Sequence, residues 1–137
     1  MSIKENAGKY FAEKKYNCCQ AVICAYCDEY GIDDEAIFKL TEGFGLGMAQ
    51  KEICGAVTGM YMAISMHNSA GDKTNPPKTK FNTYEKIRGL SQDFEGECGS
   101  IFCRELKAVV DGKQAVSCQV CVETAAELVE KFIEENK

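Results

Sequence analysis

An all-α fold is predicted for these 137 residues, a single bundle of about five to seven helices. Three observations predict it: apolar residues recur at helical spacing, no stretch shows the strict alternation or β-branched density of a strand, and cap and stop residues bracket the periodic segments. The first helix is expected from about Ile3 to Lys15, burying Ala7, Tyr10 and Phe11. A second runs from Asn17, a good N-cap, to the stop at Gly31, and a third starts near Asp33 and carries Ala36, Ile37 and Leu40. Gly43, Gly45 and Gly47 then interrupt the chain.

The fourth helix, from about Gln50 to His67, is the most apolar segment and is expected at the centre of the bundle. It sets Gly55, Gly59 and Ala63 at intervals of four along a stripe almost without side chains. An interior glycine costs a helix about 1 kcal/mol relative to alanine, so this stripe points to a close approach, by another helix or by a ligand. Residues 69–80, SAGDKTNPPKTK, read as a loop. A fifth helix aligns Phe81, Tyr84, Ile87, Leu90 and Phe94 on one side. After Gly96 and Gly99 a short helical turn carries Ile101, Phe102, Cys103 and Leu106, and the last helix runs from about Gln114 to Glu135. No linker divides the chain, so one helical domain over residues 1–137 is expected.

Composition narrows the function. With 45% apolar residues the chain can bury a core without covalent staples. Sixteen basic against 21 acidic residues give a net charge of −5, which opposes binding to phosphate backbones and anionic lipid; neither nucleic acid nor a membrane is an expected partner. The polar segment MSIKENAGKYFAEKKYN is unlike a signal peptide, and no window approaches a membrane span, so a cytoplasmic location is expected. Thiols there are mostly kept reduced, and nine cysteines, an odd number, do not suggest a permanent disulfide scaffold.

The placement of the cysteines carries more information. On a helical wheel Cys18 shares a face with Val22 and Ala25, Cys24 and Cys27 lie roughly opposite, and Cys19 falls between. Cys118 and Cys121 share the apolar face of the last helix with Ala125, Leu128, Val129 and Phe132. Cys54 stands out, because it follows a glycine-rich turn and lies in the first turn or so of the fourth helix. There, unpaired N–H groups and the positive end of the dipole favour thiolate, so Cys54 is expected to be the most acidic thiol. Arg104 beside Cys103 either favours thiolate or points away. The two C-x-x-C pairs, Cys24–Cys27 and Cys118–Cys121, fall inside predicted helices, without the βαβ setting of a thioredoxin-like site or the turn of a zinc knuckle.

Other patterns are weak. Gly43-Phe-Gly45-Leu-Gly47 has no preceding strand and no following Lys-Ser/Thr, so it makes a poor nucleotide loop. His67, the single histidine, rules out multi-histidine metal sites, and 13 residues of helix separate it from Cys54 by about 20 Å.

The order of motifs is distinctive. Asn17-Cys18-Cys19-Gln20-Ala21-Val22 is followed by Gly43-Phe44-Gly45, by Cys54-Gly55-Ala56-Val57-Thr58-Gly59, by Gly99-Ser100 with Cys103-Arg104-Glu105-Leu106, and by Cys118 with Val122 and Ala125-Ala126. This order resembles the redox-active family named C_GCAxxG_C_C after its cysteine pattern, over nearly the whole chain. The resemblance implies that Cys18, Cys54, Cys103 and Cys118 are the family cysteines, with Gly55 and Gly59 part of the motif. Cys19, Cys24, Cys27, Cys98 and Cys121 would be extras. A related module in split-Soret cytochromes, which carry haem and an iron–sulfur centre, implies that the thiols hold a cluster, although no haem-attachment motif is present here.

Two functions are therefore expected to compete. In the first, Cys54 with Cys18, Cys103 and Cys118 forms a sulfur site, cycling between dithiol and disulfide or holding an iron–sulfur cluster or another thiophilic metal, with Gly55 and Gly59 making room for the cofactor. The four cysteines should then converge, with Cys24 and Cys27 elsewhere. In the second, the chain is a helical interaction protein whose cysteines only pack the core. A redox partner protein or a second copy of the chain suits the acidic surface and the long amphipathic helices.

Overall fold

The computed structural model describes residues 1–137 and contains seven α-helices. They are α1 (Ile3–Ala12), α2 (Cys18–Glu29), α3 (Glu35–Leu40), α4 (Gly55–Asn68), α5 (Lys80–Cys98), α6 (Cys103–Leu106) and α7 (Cys118–Glu135). A two-stranded antiparallel hairpin, β1 (Val109–Val110) and β2 (Lys113–Gln114), separates α6 from α7. The fold is all-α apart from this hairpin, and no helix is long and apolar enough to cross a membrane.

α1 begins in a capping box in which Ser2 and Glu5 satisfy each other's backbone N–H groups. It ends at Ala12, short of the expected Lys15, which takes a left-handed φ of 63° and turns the chain toward α2. Asn17 caps α2 reciprocally with Gln20. The same two side chains reach further: Asn17 Nδ2 donates to the carbonyls of Thr41 and Glu42 at 3.3 and 3.1 Å, and Gln20 Nε2 to that of Phe38 at 2.9 Å. One cap thus ties the end of α3 and the glycine-rich turn to the start of α2, where Cys18 stands.

The most enclosed helix is α2, not the α4 segment expected at the centre: every residue from Cys19 to Cys27 is buried, because α1, α3, α4 and α7 surround it. The glycine stripe of α4 explains how α4 comes so close. A Cβ on Gly59 would stand 2.8 Å from the Cys19 carbonyl oxygen and 3.0 Å from Val22 Cβ, and one on Gly55 would meet the Phe44 carbonyl oxygen at 2.9 Å. What approaches the stripe is a helix and the turn before it.

Three further boundaries differ from expectation. α4 starts at Gly55 because residues Gly47–Lys51 form a single irregular turn in which Gly47, Met48, Ala49 and Lys51 take left-handed φ, and Ile53 then pairs with Phe102 in an isolated bridge. α5 passes through Gly96 and stops at Gly99, whose φ of 91° allows its N–H to reach the Glu95 carbonyl. The apolar side of α5 docks through its second half: Leu90 and Phe94 are buried, whereas in the first half Phe81 and Tyr84 are exposed and touch each other, and Thr83 is the buried residue, accepting from Asn68 Nδ2 at 2.9 Å. The last helix starts at Cys118 rather than near Gln114, because Gln114 ends the hairpin, whose Asp111-Gly112 turn has φ of 53° and 78°. Asp-Gly with both residues left-handed is the two-residue turn that matches strand twist.

A cavity lined by five cysteines

Three backbone contacts assemble the site. Cys54 N–H donates to the Ile101 carbonyl at 2.8 Å, and Cys103 N–H to that of Glu52 at 2.6 Å, so the start of α4 and the start of α6 are stitched side by side. Past the hairpin, Val116 N–H donates to the Leu106 carbonyl at 3.0 Å, which returns the chain beside α6 before Ser117 caps α7. Cys54 is the N-cap of α4, Cys103 the first residue of α6 and Cys118 the first residue of α7. Together with Cys18, the first residue of α2, the four cysteines implied by the resemblance all stand at helix starts.

These starts face one cavity of about 180 Å³, lined by Cys18, Cys54, Cys103, Cys118 and Cys121. Leu46, Leu106, Val116 and Phe11 supply apolar wall, and Lys107 brings a cation. Gly55 lines the cavity as well as packing against Cys18, while Gly59 lies one turn further along α4, outside it. All nine cysteines are thiols.

The five sulfurs are not equivalent. The Cys118 thiol is held low, at about 5, by its interaction with the neighbouring Cys18 thiol, by the Gln114 amide 3.5 Å away and by the Lys107 ammonium, against the cost of burial. Cys54 is lowered to about 7, by its interaction with the neighbouring Cys121 thiol and by the backbone N–H groups of Val57 and Ala56 at the open end of α4. The two partners move the other way: Cys18 is pushed up by Cys118 and by burial, and Cys121 by Cys54 and by burial. Each pair therefore shares one proton, with the charge resting on the sulfur that a helix end or a cation stabilises. Cys103 is raised, first by burial and then by the charge of Cys54.

The expectation that Cys54 is the most acidic thiol is therefore corrected, since Cys118 is lowered further. Lys107 and Gln114 are the reason, and both reach Cys118 only because the hairpin folds back. Lys107 was legible one helical turn beyond Cys103, and Cys121 three residues beyond Cys118 on the same face; Gln114 had no such signal. Arg104 points away from the site and pairs with Glu52 at 2.7 Å.

The other cysteines lie elsewhere. Cys24 and Cys27 are fully buried and raised by burial and by the charge of Asp34, Cys27 to about 11. Cys19 is buried with its sulfur 3.8 Å from that of Met62. His67 hydrogen-bonds the Tyr26 hydroxyl at 3.1 Å, at the opposite end of α4 from Cys54.

Residues 16–132 match the family described as "Putative redox-active protein (C_GCAxxG_C_C)". The chain belongs to the C_GCAxxG_C_C family. No curated protein and no solved structure matches it. In this C_GCAxxG_C_C protein the family name points to redox chemistry, and five thiols line one cavity.

As donors, the cavity thiols are the soft ligands that an iron–sulfur cluster or zinc takes. Their arrangement is pairwise: no group of three cysteine, histidine or carboxylate side chains is placed to share one ion. Cys18, Cys54, Cys103 and Cys118 would hold such a group only after the sulfurs moved together.

Proposed function

We propose that this protein is a thiol–disulfide redox protein with two dithiol pairs, Cys18–Cys118 and Cys54–Cys121, at one cavity. The observation that carries it is that Cys18, Cys118, Cys54 and Cys121 line one cavity, and in each pair one sulfur is favoured as thiolate at a helix start while its neighbour is favoured as thiol. That is the division of labour disulfide exchange needs, an attacking thiolate and a resolving thiol. The Cys118 thiolate attacks one sulfur of a substrate disulfide, forming a mixed disulfide and expelling half of the substrate as thiolate. Cys18 then gives up its proton and attacks the Cys118 sulfur, closing the Cys18–Cys118 disulfide and releasing the other half. Two electrons pass from the dithiol to the substrate, and a thiol reductant such as a redox partner protein restores the pair. A cavity of about 180 Å³ with apolar walls admits a small disulfide or one disulfide-bearing side-chain arm.

The test is to equilibrate the reduced protein in glutathione buffers of graded potential, trap free thiols by acid and alkylation, and map disulfides by mass spectrometry. Cys18–Cys118 and Cys54–Cys121 should form together with a two-electron dependence each, while Cys24 and Cys27 stay reduced. If all cavity thiols remain reduced across the series, the proposal is overturned in favour of packing cysteines. The presence of five soft donors favours a second reading, an iron–sulfur or metal site on Cys18, Cys54, Cys103 and Cys118. Protein purified without oxygen and carrying stoichiometric iron and sulfide, with those thiols shielded from alkylation, would establish it instead.

A further inference from the structure

The chain turns left-handed where it passes the cysteine cavity. Leu46, Met48, Ala49 and Lys51 have φ of 53°, 59°, 60° and 57°, and Gly47 among them has 60°. In this conformation Cβ crowds the following carbonyl oxygen, so each non-glycine residue held there is disfavoured by about five- to thirtyfold. Strain is concentrated in this turn: the two other non-glycine residues with left-handed φ, Lys15 and Asp111, are far apart in the chain. The turn is also part of the cavity wall. Leu46 and Gly47 line the cavity, Leu46 while 47% exposed, and a Cβ on Gly47 would stand 2.8 Å from that of Cys103. Both ends are fixed: Asn17 Nδ2 holds the Thr41 and Glu42 carbonyls, and the Glu52 carbonyl accepts from the Cys103 N–H. Between them Ala49, Gln50 and Lys51 are exposed, so the turn rests on the protein by its inner side only.

We propose that the turn over residues 46–51 is a strained gate on the cysteine cavity, shut in this structure and opening when its left-handed residues relax, so that the thiols are reached through a minor open form. The contacts of Leu46 and Gly47 with the cavity hold the gate shut, and giving them up releases the strain. Because these two terms oppose each other, the gate opens by itself while the helices stay packed. Opening uncovers Cys103 first, since Gly47 lies against it, and widens a cavity of about 180 Å³ toward a disulfide carried on a larger molecule. The gate governs access to the thiols for disulfide exchange and for metal loading alike, and so goes beyond the dithiol reading without resting on it.

The experiment follows alkylation of the reduced full-length protein by iodoacetamide at one pH, peptide by peptide, with exposed Ala49 replaced. Glycine takes a left-handed φ at no steric cost, whereas a β-branched residue resists it most. Ala49→Gly should therefore hold the gate shut and slow Cys103 and Cys54 by about fivefold, and Ala49→Val should speed both by about twofold or more. Lys51→Gly, read against Lys51→Ala so that the lost cation cancels, should repeat the slowing. Urea separates the gate from unfolding: below the unfolding transition the Cys103 rate should stay nearly flat, because a local opening exposes little surface, whereas the Cys24 and Cys27 rates should climb steeply. If Ala49→Gly and Ala49→Val both leave the Cys103 and Cys54 rates unchanged, the cavity is reached with the turn shut and the gate is overturned. It is overturned as well if Cys103 follows urea as Cys24 does, since only global unfolding then exposes it.

Discussion

The two ends of α2 carry the same residue type in opposite surroundings. At its start, Cys18 opens on a cavity beside Cys118, whose charge is held by Lys107 and Gln114. Near its end, Cys24 and Cys27 are sealed in the core, where burial and the carboxylate of Asp34 hold them as thiols. The difference teaches that helix membership does not decide what a cysteine does here. At Cys24 and Cys27 burial, reinforced by the Asp34 carboxylate, holds the proton, whereas at Cys118 the neighbouring Cys18 thiol, the Gln114 amide and the Lys107 cation outweigh burial and favour thiolate.

The largest effect should appear when the two populations are set against each other directly. At pH 6 a thiol of pKa near 5 is almost wholly thiolate, whereas an ordinary one is under about 1% so, and the lower nucleophilicity of the more acidic sulfur returns only part of that advantage. Cys118 should therefore be alkylated at least about tenfold faster than Cys24 or Cys27, measured peptide by peptide with isotope-coded iodoacetamide. Comparable rates at the two ends would erase the contrast.

A second experiment asks whether Lys107 is the cause. Lys107→Met should move the alkylation midpoint of Cys118 upward by roughly one pH unit, since removing a nearby opposite charge destabilises thiolate. Arg104→Ala, which breaks only the surface pair with Glu52, should leave it in place. An unmoved midpoint in Lys107→Met would assign the effect to Cys18 and Gln114.

The packing beneath the site can be separated from its chemistry. Gly59→Ala should cost about 1–3 kcal/mol in urea unfolding, because the added methyl is driven into the α2 backbone. Gly43→Ala, with nothing within 4 Å of the new carbon, should stay within about 0.5 kcal/mol. Neither should move the Cys118 midpoint. A neutral Gly59→Ala would mean that α4 can withdraw from α2 without cost.

The smallest effect is on the pH dependence of stability. Cys27 is held protonated in the fold, with its pKa raised from 9.0 to about 11, so the stability it contributes is complete below pH 9 and is lost as the pH climbs through about 11. Cys118 has the opposite sign: its contribution is present above pH 9 and is lost as the pH falls through about 5. Replacing Cys27 by Ala should flatten the alkaline side of a urea-midpoint profile, and Cys118→Ser the acid side. If the two substitutions flatten the same side, the assigned signs are wrong.

Sequence alone determined the local features of this protein, because they depend on neighbours a few residues apart. The α2 cap at Asn17, the loop over 69–79 and the inward face of α7 follow from side-chain chemistry and a 3.6-residue period. The Asp111-Gly112 hairpin is equally local, but its two-residue strands are too short to show alternation. Tertiary structure decided what depends on distant residues meeting. It enclosed α2 on every side, although a wheel assigns that helix two faces of which only one need be buried. It also delayed α4 until Gly55, through an irregular turn that hydrogen-bonded pairing with Phe102 holds in place, and so made Cys54 a cap. Above all it brought Lys107, separated in sequence from Cys118 by the whole hairpin, to that sulfur. A thiol's acidity is set by charges a few ångströms away in space, and spacing along the chain does not record those distances.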